Sequence, residues 1–164
     1  MSLDSSKKDP DLEKKFATAV RETNLPEIKR LLEHGVSPHY NPYFLLPPSF
    51  VAVEENALTT LLLLVEYGAG LLCTDKNRGN LLHEAIEGFE YSYMELYHKG
   101  LSEDEIKNNL ESHKELSRGL DVTNYLLEKG VSINDKATLT MTPLSLAVAS
   151  RELLCEYFKE YIHE

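Results

Sequence analysis

The sequence predicts an all-α solenoid of stacked helix–turn–helix units with a projecting helical hairpin, and three observations carry that prediction. Landmarks recur every 33 residues: Ala19, Ala52 and Ala85, followed on the same period by Val20, Val53 and Ile86. Gly35 and Gly68 share the period and close the similar phrases LLEHGVS (31–37) and LVEYGAG (64–70), and a third copy, LLEKGVS (126–132), ends around Gly130. Ala85 to Ala147 then spans 62 residues, which leaves 29 beyond one period and marks an insertion. Self-similarity at a fixed period signals a repeat architecture, in which no unit buries its apolar face alone and neighbours must stack.

A polar segment, 1–11, precedes four units at about 12–40, 41–73, 74–135 and 136–164. Each unit opens with a short inner helix carrying the alanine, a small residue suited to close approach. Thr142-Pro143-Leu144 reads as such a start, with Thr142 as N-cap and Pro143 at the first helical position. An outer helix follows, apolar at Ile28, Leu31 and Leu32, at Leu61, Leu64 and Val65, and at Val122, Leu126 and Leu127. Spacings of three and four keep those side chains on one face. Gly35, Gly68 and Gly130 stop the outer helices in the left-handed geometry that suits glycine. The insertion falls at 89–117, inside the third unit. Its inner helix is expected to continue to about residue 99, where Lys99-Gly100 reads as an end. Ser102 to Glu105 forms a capping box for a second helix over about 103–117. The doublets Leu153/Leu154, Tyr157/Phe158 and Tyr161/Ile162 suit an end helix lying on the stack.

The phrases TPLSLAV (142–148) and LLHEAIE (81–87) resemble the T-P-L-H-x-A phrase of the ankyrin repeat, whose period is also 33. The resemblance covers roughly residues 12–162, as an ankyrin-repeat solenoid of four repeats. The first repeat has Phe16 in place of the usual start, the second has Pro47-Pro48-Ser49, and the last lacks the terminal glycine. The resemblance implies a protein–protein interaction module. It places His83 as a histidine that bridges adjacent loops. It puts Arg21, Glu22, Glu54, Glu55, Glu87, Ala149 and Ser150 on a concave groove. Four of these seven are glutamates and one is basic, so the groove suits a basic segment; the competing assignment is a solvated face in an acidic protein. The loop fingers would add Tyr40, Tyr43, Phe44, Lys76, Asn77, Arg78, Leu139 and Met141. Asn134 matches the asparagine that some ankyrin repeats present for hydroxylation, against the alternative of a turn asparagine bonded to its own loop.

Aromatic residues gather in two places: Tyr40, Tyr43, Phe44 and Phe50, and then Phe89, Tyr91, Tyr93 and Tyr97. The first cluster sits in the finger HYNPYFLLPP and is read either as a binding anchor or as part of the second unit's core. The second is read either as an insertion surface or as packing between the insertion's helices.

Composition narrows the function. Lys plus Arg number 17 against 27 Asp plus Glu, a net charge of −10, which opposes binding to nucleic acid. Cys73 and Cys155 form no CxxC pair, and His83-Glu84 fails the HExxH spacing because residue 87 is Glu, so no metal or cofactor is expected. The remaining histidines (His34, His39, His98, His113 and His163) show no ligand spacing. No GxSxG, GxxxxGK[ST] or GxGxxG occurs, so no enzyme is expected. No apolar run approaches the roughly 18 residues of a membrane span, and the polar start MSLDSSKKDPDLEKK lacks a signal peptide's apolar stretch. The expectation is a monomeric cytoplasmic or otherwise intracellular module, with secretion into a host cell left open. The rivals are a small enzyme or regulatory subunit whose site the insertion builds, and a structural fragment of a longer chain.

Overall fold

A computed structural model of the chain describes residues 9–44, 46–75, 79–136 and 141–150, with side chains through Ala147. Among these residues the regular structure is helical, apart from one isolated bridge between Thr74 and Asn80. The chain divides into two compact units, Met1–Gly70 and Leu71–Glu164.

The first unit holds α1 (Pro10–Arg21), α2 (Leu25–Glu33), α3 (Pro48–Glu54) and α4 (Leu58–Glu66). Asp9 caps α1 by accepting from the Asp11 N–H at 2.9 Å, so the helix starts two residues before the expected boundary. Inner helix α1 packs on α3 and outer helix α2 on α4, while each inner helix also packs on its own outer partner. Ala19 on α1 and Ala52 on α3 are buried, as are Phe16, Val20, Ile28, Leu31, Phe50, Leu61 and Leu64.

Glycine ends each outer helix as the sequence predicts. Gly35, Gly68 and Gly130 have φ of +86°, +97° and +76°. In each case the glycine N–H and the next N–H turn back onto the last helical carbonyls, for example Gly35 to Leu32 at 2.9 Å and Val36 to Leu31 at 3.1 Å. Thr23 and Asn56, one period apart, make the same turn between inner and outer helices with φ of 52° and 49°. One period on from Asn56 stands Phe89, which is helical and buried. There the inner helix runs on.

The second unit holds α5 (Leu81–His98), α6 (Glu103–Asn108), a 3-10 turn (Leu110–Ser112), α7 (Lys114–Glu128) and α8 (Pro143–Ser150). The expected continuation of the inner helix to about residue 99 matches α5. The expected second helix over 103–117 does not form as one piece. It breaks after α6, because Asn109 turns its side-chain amide onto the Glu105 carbonyl at 3.0 Å and Ser112 Oγ donates to the Asn109 carbonyl at 2.6 Å. Such local side-chain bonds compete with helix continuation. Residues 114–117 belong instead to α7, which continues unbroken through the outer helix and packs along α5. The insertion therefore carries a core: Phe89, Tyr93, Ile106 and Leu116 are all at most 2% exposed. The end-helix doublets lie outside the described residues, as does Cys155.

Candidate functional site

In the first unit, the finger between α2 and α3 is held from beneath by one buried residue. The Asn41 side-chain amide donates to the Glu13 backbone carbonyl at 2.7 Å and to a Glu13 carboxylate oxygen at 3.0 Å. Asn41 Oδ1 in turn accepts from the Tyr43 N–H at 2.8 Å, and the Asn41 carbonyl accepts from the Phe44 N–H at 3.1 Å. Asn41 and Glu13 are buried at 1% and 3% exposure, so the loop is tied to α1 by satisfied polar groups. Above this tie Tyr40 and Tyr43 are exposed, at 57% and 43%. Phe44 is not: it is buried, with the Arg21 guanidinium 4.8 Å from its ring centre. Of the two assignments of Phe44, core wins over anchor, because an apolar ring gains more from burial than from solvent contact. Arg21, Glu22, Glu54 and Glu55, at the ends of α1 and α3, are all exposed.

In the second unit, the start of α5 is a hydrogen-bonded junction. Asn80 Oδ1 accepts from the Leu82 and His83 N–H groups at 3.1 and 3.3 Å, while its amide donates to the Ser132 carbonyl at 2.7 Å. The Asn80 backbone N–H donates to His83 Nδ1 at 3.0 Å. His83 Nε2 lies 3.1 Å from the Met141 carbonyl, which can only accept, so Nε2 is the donor there. Thr142 and Ser145 then cap α8 reciprocally, at 2.8 and 3.0 Å.

On α5 the exposed residues include Glu87, Tyr91 at 75% and Tyr97 at 49%. Phe89 and Tyr93, expected on the same insertion surface, are instead buried at 0% and 2%: they lie on the opposite side of the helix, where α5 is covered. Met141 is 37% exposed, and Asn134 is exposed with its backbone N–H on Ser132 Oγ at 3.2 Å. Lys76, Asn77, Arg78 and Leu139, and the side chains of Ala149 and Ser150, lie outside the described residues. Sequence reasoning missed Asn41, Glu13 and Asn80, the residues that hold the two loops. Their signal was a polar residue beside a repeat landmark, which composition alone does not separate from an ordinary loop residue.

Two open depressions lie on the first unit. One of about 580 Å³ lies along α1 and α2 and is lined by residues of both charges, among them Lys14, Lys15, Glu22 and Glu27. Another of about 450 Å³ lies along α2 and α4, lined by Leu25, Pro26, Lys29, Leu62, Leu63 and Glu66. Among the described residues no group of three or more His, Cys, Asp and Glu could hold a metal ion, and no helix is long and apolar enough to cross a membrane.

Among solved structures, the chain is similar to the ankyrin repeat domain of Bcl-3, described as a unique member of the IkappaB protein family. The TM-score is 0.60 at 18% identity, and the match covers 94% of this chain. The fold is that of an ankyrin repeat domain. The chain spans 57% of the length of the Bcl-3 structure. No protein-family model matches the sequence, and no curated protein matches it. Within the ankyrin fold the role of His83 is plain: it and Asn80 join the loop before α5 to the segments at Ser132 and Met141.

Proposed function

We propose that this ankyrin domain is a non-catalytic protein–protein interaction module. It takes a basic segment of a partner protein on the finger and inner-helix ends of its first unit. The observation that carries the reading is the finger itself. Tyr40 and Tyr43 stand exposed on a loop whose root, Asn41, is buried and hydrogen-bonded to α1. Aromatic side chains offered on a fixed backbone lose little freedom on binding, which makes them natural anchors. The exposed glutamates Glu22, Glu54 and Glu55 in the same unit give the partner its sign. With a net charge of −10, the chain favours a basic protein over nucleic acid or an anionic membrane. The module is proposed to act as a monomer inside a cell, and Asn134, exposed on its loop, as a target for hydroxylation.

The test is crosslinked affinity capture from the native cell with three baits: the parent chain, Tyr43→Ala, and Glu54→Lys with Glu55→Lys. A protein held by the parent and lost from both variants supports the reading. Equal recovery on all three overturns it.

A further inference from the structure

We infer that the exposed face of α5 is a second docking surface, for an extended segment of a partner protein with basic residues at alternate positions. The inference rests on the reading that this domain binds basic segments. Glu87, Tyr91 and Glu95 follow one another at intervals of four, so they line one face with about 6 Å of rise between them. All three are exposed, and Tyr91, at 75%, is the most exposed aromatic among the described residues. The reverse face of the same helix is fixed in the insertion's core by Phe89 and Tyr93. Tyr91 is thus a large ring on a rigid backbone, flanked a turn away on either side by a carboxylate.

The spacing selects the ligand. In an extended strand, alternate side chains point the same way and recur about every 6.6–6.8 Å, close to the rise between Glu87, Tyr91 and Glu95. Three basic residues at alternate positions would therefore set the outer two against the glutamates. The middle one would lie over the Tyr91 ring, where a cation is attracted to the π face. Contiguous basic residues would point to opposite sides and leave at least one of these positions unmatched. The Lys99 ammonium already sits 2.9 Å from Glu95. Exposed pairs of this kind contribute little, so a partner's guanidinium can take its place.

The probe is a fluorescein-labelled heptapeptide with arginine at its second, fourth and sixth positions in a serine background, titrated against the full chain by anisotropy. Its isomer with three contiguous arginines is the comparison. The expected result is tighter, salt-sensitive binding of the alternating peptide. Tyr91→Ala should weaken it about three- to fivefold, and Glu87→Gln with Glu95→Gln should weaken it further. Unchanged circular dichroism checks that both variants fold. Glu54→Gln with Glu55→Gln makes failures distinguishable. Loss in that variant alone places the peptide on the first unit, which overturns this inference and leaves the proposed function standing. Loss in the α5 variants alone supports the inference and counts against the first-unit site; loss in both sets supports both. No binding by the parent chain, or equal binding of the two isomers, overturns the inference.

Discussion

Replacing Asn80 by Ala should destabilise the second unit by about 2–3 kcal/mol, a sum of two separable losses. The first is the N-cap: Asn80 Oδ1 accepts from the Leu82 and His83 N–H groups, and losing such a cap costs about 1 kcal/mol. The second is the 2.7 Å bond from its amide to the Ser132 carbonyl; leaving a partly buried acceptor unpaired costs about 1–2 kcal/mol. Asn80→Asp divides the sum. Aspartate keeps the cap and suits the positive helix N-terminus. It cannot donate to Ser132, however, and it sets a carboxylate beside Asp135, whose Oδ2 is 3.5 Å from the present amide. Asn80→Asp should therefore retain the capping part and lose the bridging part, landing between parent and Asn80→Ala. The assay is urea unfolding at neutral pH, reading the midpoint and checking that the slope is unchanged. A midpoint for Asn80→Ala equal to the parent's would refute the junction's role. Equal midpoints for Asn80→Asp and the parent would refute the bridge alone.

Other perturbations probe the remaining parts. Ala52→Leu, at a fully buried position on α3 where α1 packs, should cost about 1–3 kcal/mol by overpacking; an unchanged thermal midpoint would contradict the repeat register. Asn41→Ala should cost about 1–3 kcal/mol, since it takes the amide donor away from the buried Glu13 carboxylate. It should also make the finger cleave first in limited proteolysis, and equal cleavage rates would deny the tie. Hydrogen bonds from the Ser102 N–H and hydroxyl hold the Glu105 carboxyl below its ordinary range. Its contribution is thus present above the ordinary carboxylate pKa and lost as pH falls through the lowered value. Glu105→Gln should remove that part of the acid limb of stability, which a pH series of melts on parent and variant would detect.

The legible parts of the fold are those governed by local stereochemistry. Gly35, Gly68 and Gly130 announced their positive φ because glycine alone adopts it without strain, and Thr142-Pro143 announced a helix start through a hydroxyl acceptor and a fixed φ. The turns at Thr23 and Asn56 were hidden, since neither residue is specific for left-handed backbone. The finger's anchor was hidden for another reason. Asn41 meets Glu13 across 28 residues of sequence, and no periodicity encodes such a pairing. The two aromatic clusters were each half legible. Composition located them, but only the fold separates Tyr91 from Phe89 and Tyr93, or Tyr43 from Phe44, because one or two steps along the backbone exchange solvent for core. The break after α6 turned on side chains of Asn109 and Ser112 whose hydrogen bonds outcompete a modest helix propensity.

The insertion is where packing and recognition make opposite demands, and one deletion tests both. Closing a link in place of 29 residues changes loop entropy little, so a purely projecting hairpin could be removed at almost no cost. The core argues otherwise. Deleting 89–117 and joining the ends with a short Gly/Ser link removes the buried Phe89, Tyr93, Ile106 and Leu116, and with them the entropy cost of ordering that segment. It also takes away the second half of α5, along which α7 packs, and exposes α7 residues such as Leu120, now 3% exposed. Uncovering one such leucine costs about 1.5–3 kcal/mol, equivalent to a fall of about 5–10 °C in Tm for a domain of this size. The deletion should therefore fold, melt cooperatively at a lower temperature and lose the partner held by α5. Tyr91→Ala with Tyr97→Ala should keep the parent's Tm within about 2 °C, as exposed substitutions do, and weaken that partner's binding at least about three- to fivefold. An undiminished Tm for the deletion would mean that α7 needs no cover from α5. A double variant that melts as early as the deletion would make the tyrosines part of the brace rather than of the binding face.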